Sequence, residues 1–317
     1  MSTEERVVEL MGTTAHVIVS DGPPGLADRA VERLEELEAL WSRFRADSEV
    51  SVLNTRAGVP VPLSPCTYQL IEHALEGWRL TGGRFDPTLL RELRAAGYDR
   101  SFELLVVGED ATGSALPAVT ARRAMPRVAQ SPSAERIRLD RTIGTVWLGA
   151  GVEFDPGGIG KGFAADLVVD LVLAAGARGA LVNVGGDLRA EGAAPEGAGW
   201  VVAIADPTDP DRVVGTVALG SGAVASTWRT KRAWTAPDGT PRHHLIDPEN
   251  GRPAASGLAG VTVVTGQGWQ AEVLAKGAFL AGPVDGAALL AANGVAGLLV
   301  ADDGSVSEAG SWAQFAA

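Results

Sequence analysis

Apolar and polar residues recur with two different periods along this 317-residue chain, and each change of period marks an element. From Leu26 onward, Leu26, Ala30, Leu34, Leu37 and Trp41 fall at helical spacing, while Glu32, Arg33, Glu35, Glu36 and Glu38 fill the opposite side. This predicts a helix over 26–44. The same spacing predicts helices over 67–80, 163–174, 270–280 and 285–292. The first of these ends at Gly82-Gly83 and the third before Gly282-Pro283, both ordinary helix stops. Runs rich in β-branched residues predict strands over 16–19, 180–184, 200–204, 213–219, 261–264 and 297–301. Alternation over 137–148 predicts a strand pair around the turn Arg141-Thr142-Ile143-Gly144. Residues 103–136 carry Ala, Ser, Pro and Gly without a sustained period, which predicts a surface insertion or loop. With no internal repeat and no linker, the expected fold class is α+β. The expected architecture is a single mixed α/β domain with lobes over 1–317.

Composition narrows the candidate chemistry. The 40 glycines cluster between apolar runs, which implies loops whose backbone can approach a ligand closely. A net charge of −12 argues against general nucleic-acid binding, so a phosphate-bearing ligand needs a locally built site. Cys66 is the one cysteine and can form no intrachain disulfide. The first ten residues are acidic, and the apolar stretch 167–175 is short and contains Asp170. A soluble, cytoplasmic protein without membrane insertion is therefore expected.

Four loops carry candidate chemistry. Asp155-Pro156-Gly157-Gly158-Ile159-Gly160-Lys161-Gly162 precedes a predicted helix, whose N-terminal N–H groups and dipole suit a phosphate. It is neither the nucleotide-hydrolase phosphate loop nor a dinucleotide-binding glycine fingerprint, and by itself it equally describes a strand-to-helix turn. Asn183-Val184-Gly185-Gly186-Asp187 ends a buried-looking strand, where it lines a cleft or simply turns a hairpin. The stretch from His243 to Pro253 puts two of the four histidines beside acids, and a histidine there can take a proton from a hydroxyl. Nothing near it has zinc spacing, and Asp-Pro and Asn-Gly also make it a polar turn. Arg84-Phe85-Asp86-Pro87-Thr88 follows Gly82-Gly83 and reads as a turn in isolation.

The order of these loops is more specific than any one of them. Met11-Gly12-Thr13, Trp41-Ser42-Arg43-Phe44 with Asp47-Ser48-Glu49, and Gly83 to Thr88 are followed by Asp155 to Gly162 and Asn183 to Asp187. His244-Leu245-Ile246-Asp247-Pro248 and the helix Ala271-Glu272-Val273-Leu274-Ala275-Lys276 complete the series. The series resembles the ApbE family of FAD:protein FMN transferases over roughly residues 7 to 300. The resemblance implies FAD as substrate, transfer of its FMN half to a Ser or Thr hydroxyl of a flavin-accepting partner protein, and release of AMP. It implies FAD contacts at Met11, Phe44, Arg84, Phe85, Asp86, Asp155, Lys161, Ile246 and Ala275, with Phe44 where the family often has Tyr. It implies His244 as the base. It also implies Mg2+, held in part by the Gly158 carbonyl, steadying the diphosphate as a Lewis acid.

One departure bears on that metal. The resemblance implies Asp and, four residues later, Thr as further ligands, where this chain has Glu272 and Lys276. An ammonium has no lone pair for a metal. Placed about 4 Å from a divalent ion, it costs roughly 8 kcal/mol at an effective dielectric of 20. The expectation is that Lys276 replaces the metal, with Glu272 a doubtful metal ligand at best; an ordinary i,i+4 surface pair is the plainer alternative. A flavin-binding carrier or sensor without transfer activity, and an FAD pyrophosphatase, remain the other functional readings.

Overall fold

The computed structural model describes residues 2–102, 105, 133–197, 199–209, 211–236 and 239–317. Most of the expected insertion over 103–136 lies outside the described residues. Its last four residues, Ser133–Arg136, form a 3-10 turn.

Two strands, β1 (Thr3–Leu10) and β2 (Thr13–Ser20), open the chain as a hairpin. Its two-residue turn, Met11-Gly12, has positive φ at both positions, which matches the right-handed twist of the strands. Helix α1 (Leu26–Trp41) follows, and its buried residues include every member of the predicted stripe. Short α2 (Glu49–Thr55), β3 (Val61–Pro62), α3 (Pro65–Leu80) and α4 (Leu90–Ala95) lead to β4 (Ile137–Asp140) and β5 (Thr145–Leu148). These two strands form the predicted pair, and β3 joins them in a small sheet.

Then come α5 (Gly160–Ala174), β6 (Gly179–Val184), β7 (Asp187–Gly192), β8 (Trp200–Ala205), β9 (Val213–Leu219) and β10 (Ser221–Trp228). Four short strands, β11 (Ala233–Thr235), β12 (Pro241–His243), β13 (Ile246–Asp247) and β14 (Arg252–Pro253), precede β15 (Leu258–Thr265). Helices α6 (Gly268–Ala281) and α7 (Pro283–Ala292), then β16 (Ala296–Ala301) and β17 (Val306–Ala309), end the series.

Eight strands make one antiparallel sheet in the order β1-β2-β6-β7-β10-β15-β16-β17. Helices α1, α5 and α6 cover one face. The β8–β9 hairpin and Trp312 cover the other, packing on Leu188, Val224, Val264 and Leu298. Burial on both faces explains why β6 reads as a continuous apolar run rather than an alternation. The mixed α/β layering agrees with the expected class.

Candidate active site

A cleft of about 620 Å3 opens where the β1–β2 turn, the end of α1, the 85–89 loop, the glycine-rich loop, the 244–246 loop and α6 converge. That volume lies within the usual range for a cofactor-sized ligand. A smaller cavity of about 160 Å3 shares the wall formed by Lys161, His244, Lys276 and Arg232, and continues past Asp187 and Ser226 to Lys231.

The glycine-rich loop is built by its own side chain and its neighbours. Asp155 Oδ1 accepts from the Gly157 N–H at 3.2 Å, starting a 3-10 turn at Pro156 that runs into α5. A Cβ at Gly158 would stand 2.6 Å from the Phe85 ring and 3.3 Å from Lys276 Cδ. Glycine is required there, and the Lys276 stem already passes over its backbone. Met11 is held at the opposite rim, because its N–H donates to Glu38 Oε1 at 2.7 Å.

Four charges alternate along the inner wall. Lys161 Nζ donates to Asp187 and, at 2.8 Å, to Glu272 Oε1. Lys276 Nζ donates to the same Glu272 oxygen at 3.0 Å. Glu272 Oε2 accepts from the Gly162 N–H at 2.8 Å. The Glu272 side chain is fully buried, whereas those of Lys161 and Lys276 keep 19% and 13% of their surface, so the cations face the cleft and the carboxylate lies behind them. Burial opposes the Glu272 charge, but Lys161 and Lys276 outweigh it and hold the carboxyl well below its usual range. Burial likewise opposes the charge on Lys161, and Asp187 with Glu272 overcomes it, so the ammonium stays protonated.

His244 stands on the wall shared by the two cavities. Its Nδ1 lies 3.3 Å from the Arg232 carbonyl, which can only accept, so Nδ1 carries the proton and Nε2 the lone pair. Among the described residues Nε2 has no partner. Burial first, then the charges of Arg232 and Lys276, push the His244 pKa well below the ordinary histidine value. The ring is therefore neutral at pH 7. His243 is occupied at both nitrogens: Nε2 donates to the Ala254 carbonyl at 3.0 Å and Nδ1 accepts from the Leu245 N–H at 3.3 Å.

The apolar end of the cleft is aromatic. The Arg43 guanidinium lies 4.6 Å from the Phe44 ring centroid and 4.5 Å from that of Tyr98, and 3.8 Å from Asp155. Planar π-surfaces stack well against such a wall.

Of the residues named from sequence, Met11, Phe44, Phe85, Asp86, Asp155, Gly158, Lys161, His244, Ile246 and Lys276 line this cleft together. Arg84 does not; it points to Glu249 Oε1 at 2.7 Å. Ala275 is wholly buried in the core, and Glu272 stands behind the lysines. Sequence reasoning did not assign Asp187, Arg232, Arg43 or Tyr98. Asp187 and Arg43 lay inside quoted motifs, but Tyr98 and Arg232 carried no local signal.

A divalent metal does not fit these residues. One Glu272 oxygen accepts from two ammonium groups and the other from a backbone amide, so a divalent ion taking the one remaining lone pair would stand beside two ammonium charges. Among the described residues no group of three or more His, Cys, Asp or Glu side chains is placed to hold a metal ion. Nor, among them, is any helix long and apolar enough to cross a membrane.

Comparison with known proteins agrees with this fold. The model of the ApbE family matches residues 11–299. The FAD:protein FMN transferase of Treponema pallidum is 31% identical over 89% of this chain and 79% of its own. That of Vibrio cholerae is 28% identical over 93% and 86%. Among solved structures, the ApbE protein of Thermotoga maritima superposes with a TM-score of 0.82 at 26% identity, covering 99% of both chains. The flavin transferase ApbE of Vibrio cholerae gives 0.80 at 26% identity, again covering 99% of both. The chain belongs to the ApbE family.

Proposed function

We propose that this chain binds FAD in the large cleft and transfers its FMN half to a Ser or Thr hydroxyl of a partner protein, releasing AMP. The observation that carries the reading is the neutral His244, which lines both cavities beside Lys161 and Lys276 and whose Nε2 has no partner among the described residues. The diphosphate lies against the two ammonium groups and the N-terminus of α5, and the acceptor hydroxyl enters through the smaller cavity. The hydroxyl oxygen forms a bond to the phosphorus on the flavin side. The bond from that phosphorus to the bridging oxygen breaks, AMP departs with the oxygen, and the hydroxyl proton moves to His244 Nε2. A base whose pKa is depressed by burial and neighbouring cations is ready to accept this proton without first losing one.

The reading assigns to Lys276 the charge stabilisation that a metal would otherwise supply. Both lysines are fixed before substrate arrives, so no reorganisation is needed as charge builds on the phosphoryl oxygens.

Incubating the full chain with FAD and a candidate acceptor domain tests the proposal. Covalent flavin fluorescence on the acceptor, lost by about 10²–10⁴ in rate in His244→Asn, is the expected result. AMP without acceptor labelling indicates hydrolysis instead. FAD retained with neither product indicates a carrier or sensor.

A further inference from the structure

The N-termini of α5 and α6 meet at two glycines, where neither helix has room for a side chain. A Cβ at Gly162 would lie 2.3 Å from the Gly268 carbonyl oxygen, and one at Gly268 would lie 2.5 Å from that of Gly162. Across this contact each helix caps the other. Glu272 of α6 accepts from the Gly162 N–H, and Asp166 of α5 accepts from Gly268 N–H at 2.6 Å and Trp269 N–H at 3.0 Å. The residues preceding the two helices, Ile159 and Gln267, provide no side-chain cap of their own.

We propose that Asp166, which lines neither cavity, is a positioning residue for the transfer: its clamp fixes α6 on α5 and so holds Lys276 and Glu272 at the diphosphate. This rests on the FMN-transfer reading. Lys276 stands seven residues beyond Trp269, about 10 Å along the helix, so an angular slack of roughly 6° moves it by about 1 Å. A displacement of that size can cost up to about 10²-fold in rate.

Asp166 is an expensive choice for a merely structural cap. It is 3% exposed, and the charged groups facing it are Arg189 Nε on β7 at 3.7 Å and Asp170 on its own helix, while Glu191 pairs with the Nη2 of Arg189. From α6 it meets only amide donors. Burial, which the two amides and Arg189 only partly offset, raises its carboxyl to about 7. Between the unfolded value of 3.8 and about 7 the folded chain binds the extra proton, so this group makes stability fall as pH rises. Its ionised form costs stability, yet only that form offers both oxygens to two N–H donors. The clamp therefore loosens as pH drops through about 7.

Asp166→Asn keeps the shape but offers one acceptor oxygen. In the full chain with FAD and acceptor, kcat should fall about tenfold or more while thermal stability is kept or raised. The limb of the kcat–pH profile centred near 7 in the unaltered chain should disappear. Unchanged kcat and pH profile would overturn the inference. Should the variant fail to fold, the unaltered chain still decides: the Gly268 and Trp269 amide resonances must titrate near pH 7 together with kcat. Resonances that stay constant from pH 5.5 to 8.5 would overturn it. No transfer by the unaltered chain would sink the underlying reading itself; transfer that ignores Asp166 sinks only the positioning role.

Discussion

Two charged clusters are built from α5, α6 and β7, on either side of the Gly162–Gly268 contact. On the cleft side Lys161, Asp187, Glu272 and Lys276 alternate in sign, and both ammonium groups retain exposed surface. On the far side Asp166 and Arg189 are almost fully buried, the carboxylate occupied by backbone amides and the guanidinium by the Ala190 and Gly222 carbonyls and Glu191. The first arrangement can offer positive charge to a ligand. The second has none to offer and can only hold backbone in place. Similar residue types on the same scaffold thus serve opposite ends, and exposure of the cation decides which.

That contrast can be broken by removing one cation from each cluster. Arg189→Met removes the counter-charge of Asp166, which then takes up a proton, and leaves the Ala190 and Gly222 carbonyls without their donor, which should cost on the order of 1–3 kcal/mol in urea unfolding. A loss below about 1 kcal/mol would mean that the rear cluster holds nothing. Lys276→Met should do the reverse. Glu272 keeps Lys161 and the Gly162 amide, so stability changes little, while kcat/KM for FMN transfer falls by about 10²–10³. Magnesium should not rescue it.

A third substitution sharpens the chemistry of the cleft. Glu272→Asp combined with Lys276→Thr restores oxygen donors on one helix face, and transfer by this double variant should become sensitive to EDTA while that of the unaltered chain is not. Equal sensitivity in both would argue that Lys276 moves aside for a metal.

Stability also depends on pH, and His244 and Asp166 contribute to that dependence with opposite signs. His244 stays neutral in the folded chain below the pH at which the unfolded chain gains a proton, near 6.5. The unfolded state then binds more protons, and this part makes stability rise with pH. Asp166, raised to about 7, makes stability fall over its own window, from 3.8 upward. Urea midpoints from pH 4.5 to 8 should separate the two, since His244→Asn removes the first and Asp166→Asn the second.

How far the sequence revealed this site follows from how each part is encoded. The α1 stripe and the β4–β5 pair were readable because one face is buried and the other wet. Strand β10, Ser221–Trp228, was not predicted: its small residues are buried on both faces and leave no alternation. The start of α5 was placed three residues late because its first turn is drawn from the glycine-rich loop. At the site, contiguous motifs delivered Asp155, Lys161 and His244, whereas Tyr98 and Arg232 reach the cleft only through tertiary packing. Asp166 is a polar residue in an apolar helix, and only the crossing of α5 and α6 gives it a role.

A crystal structure of the chain with FAD tests the central claim most directly. Diphosphate oxygens should lie about 2.7–3.2 Å from the Lys161 and Lys276 ammonium nitrogens, with the flavin-side phosphorus facing His244 Nε2. A divalent ion ligated by Glu272 with Lys276 turned away, or FAD bound outside the cleft, would contradict it.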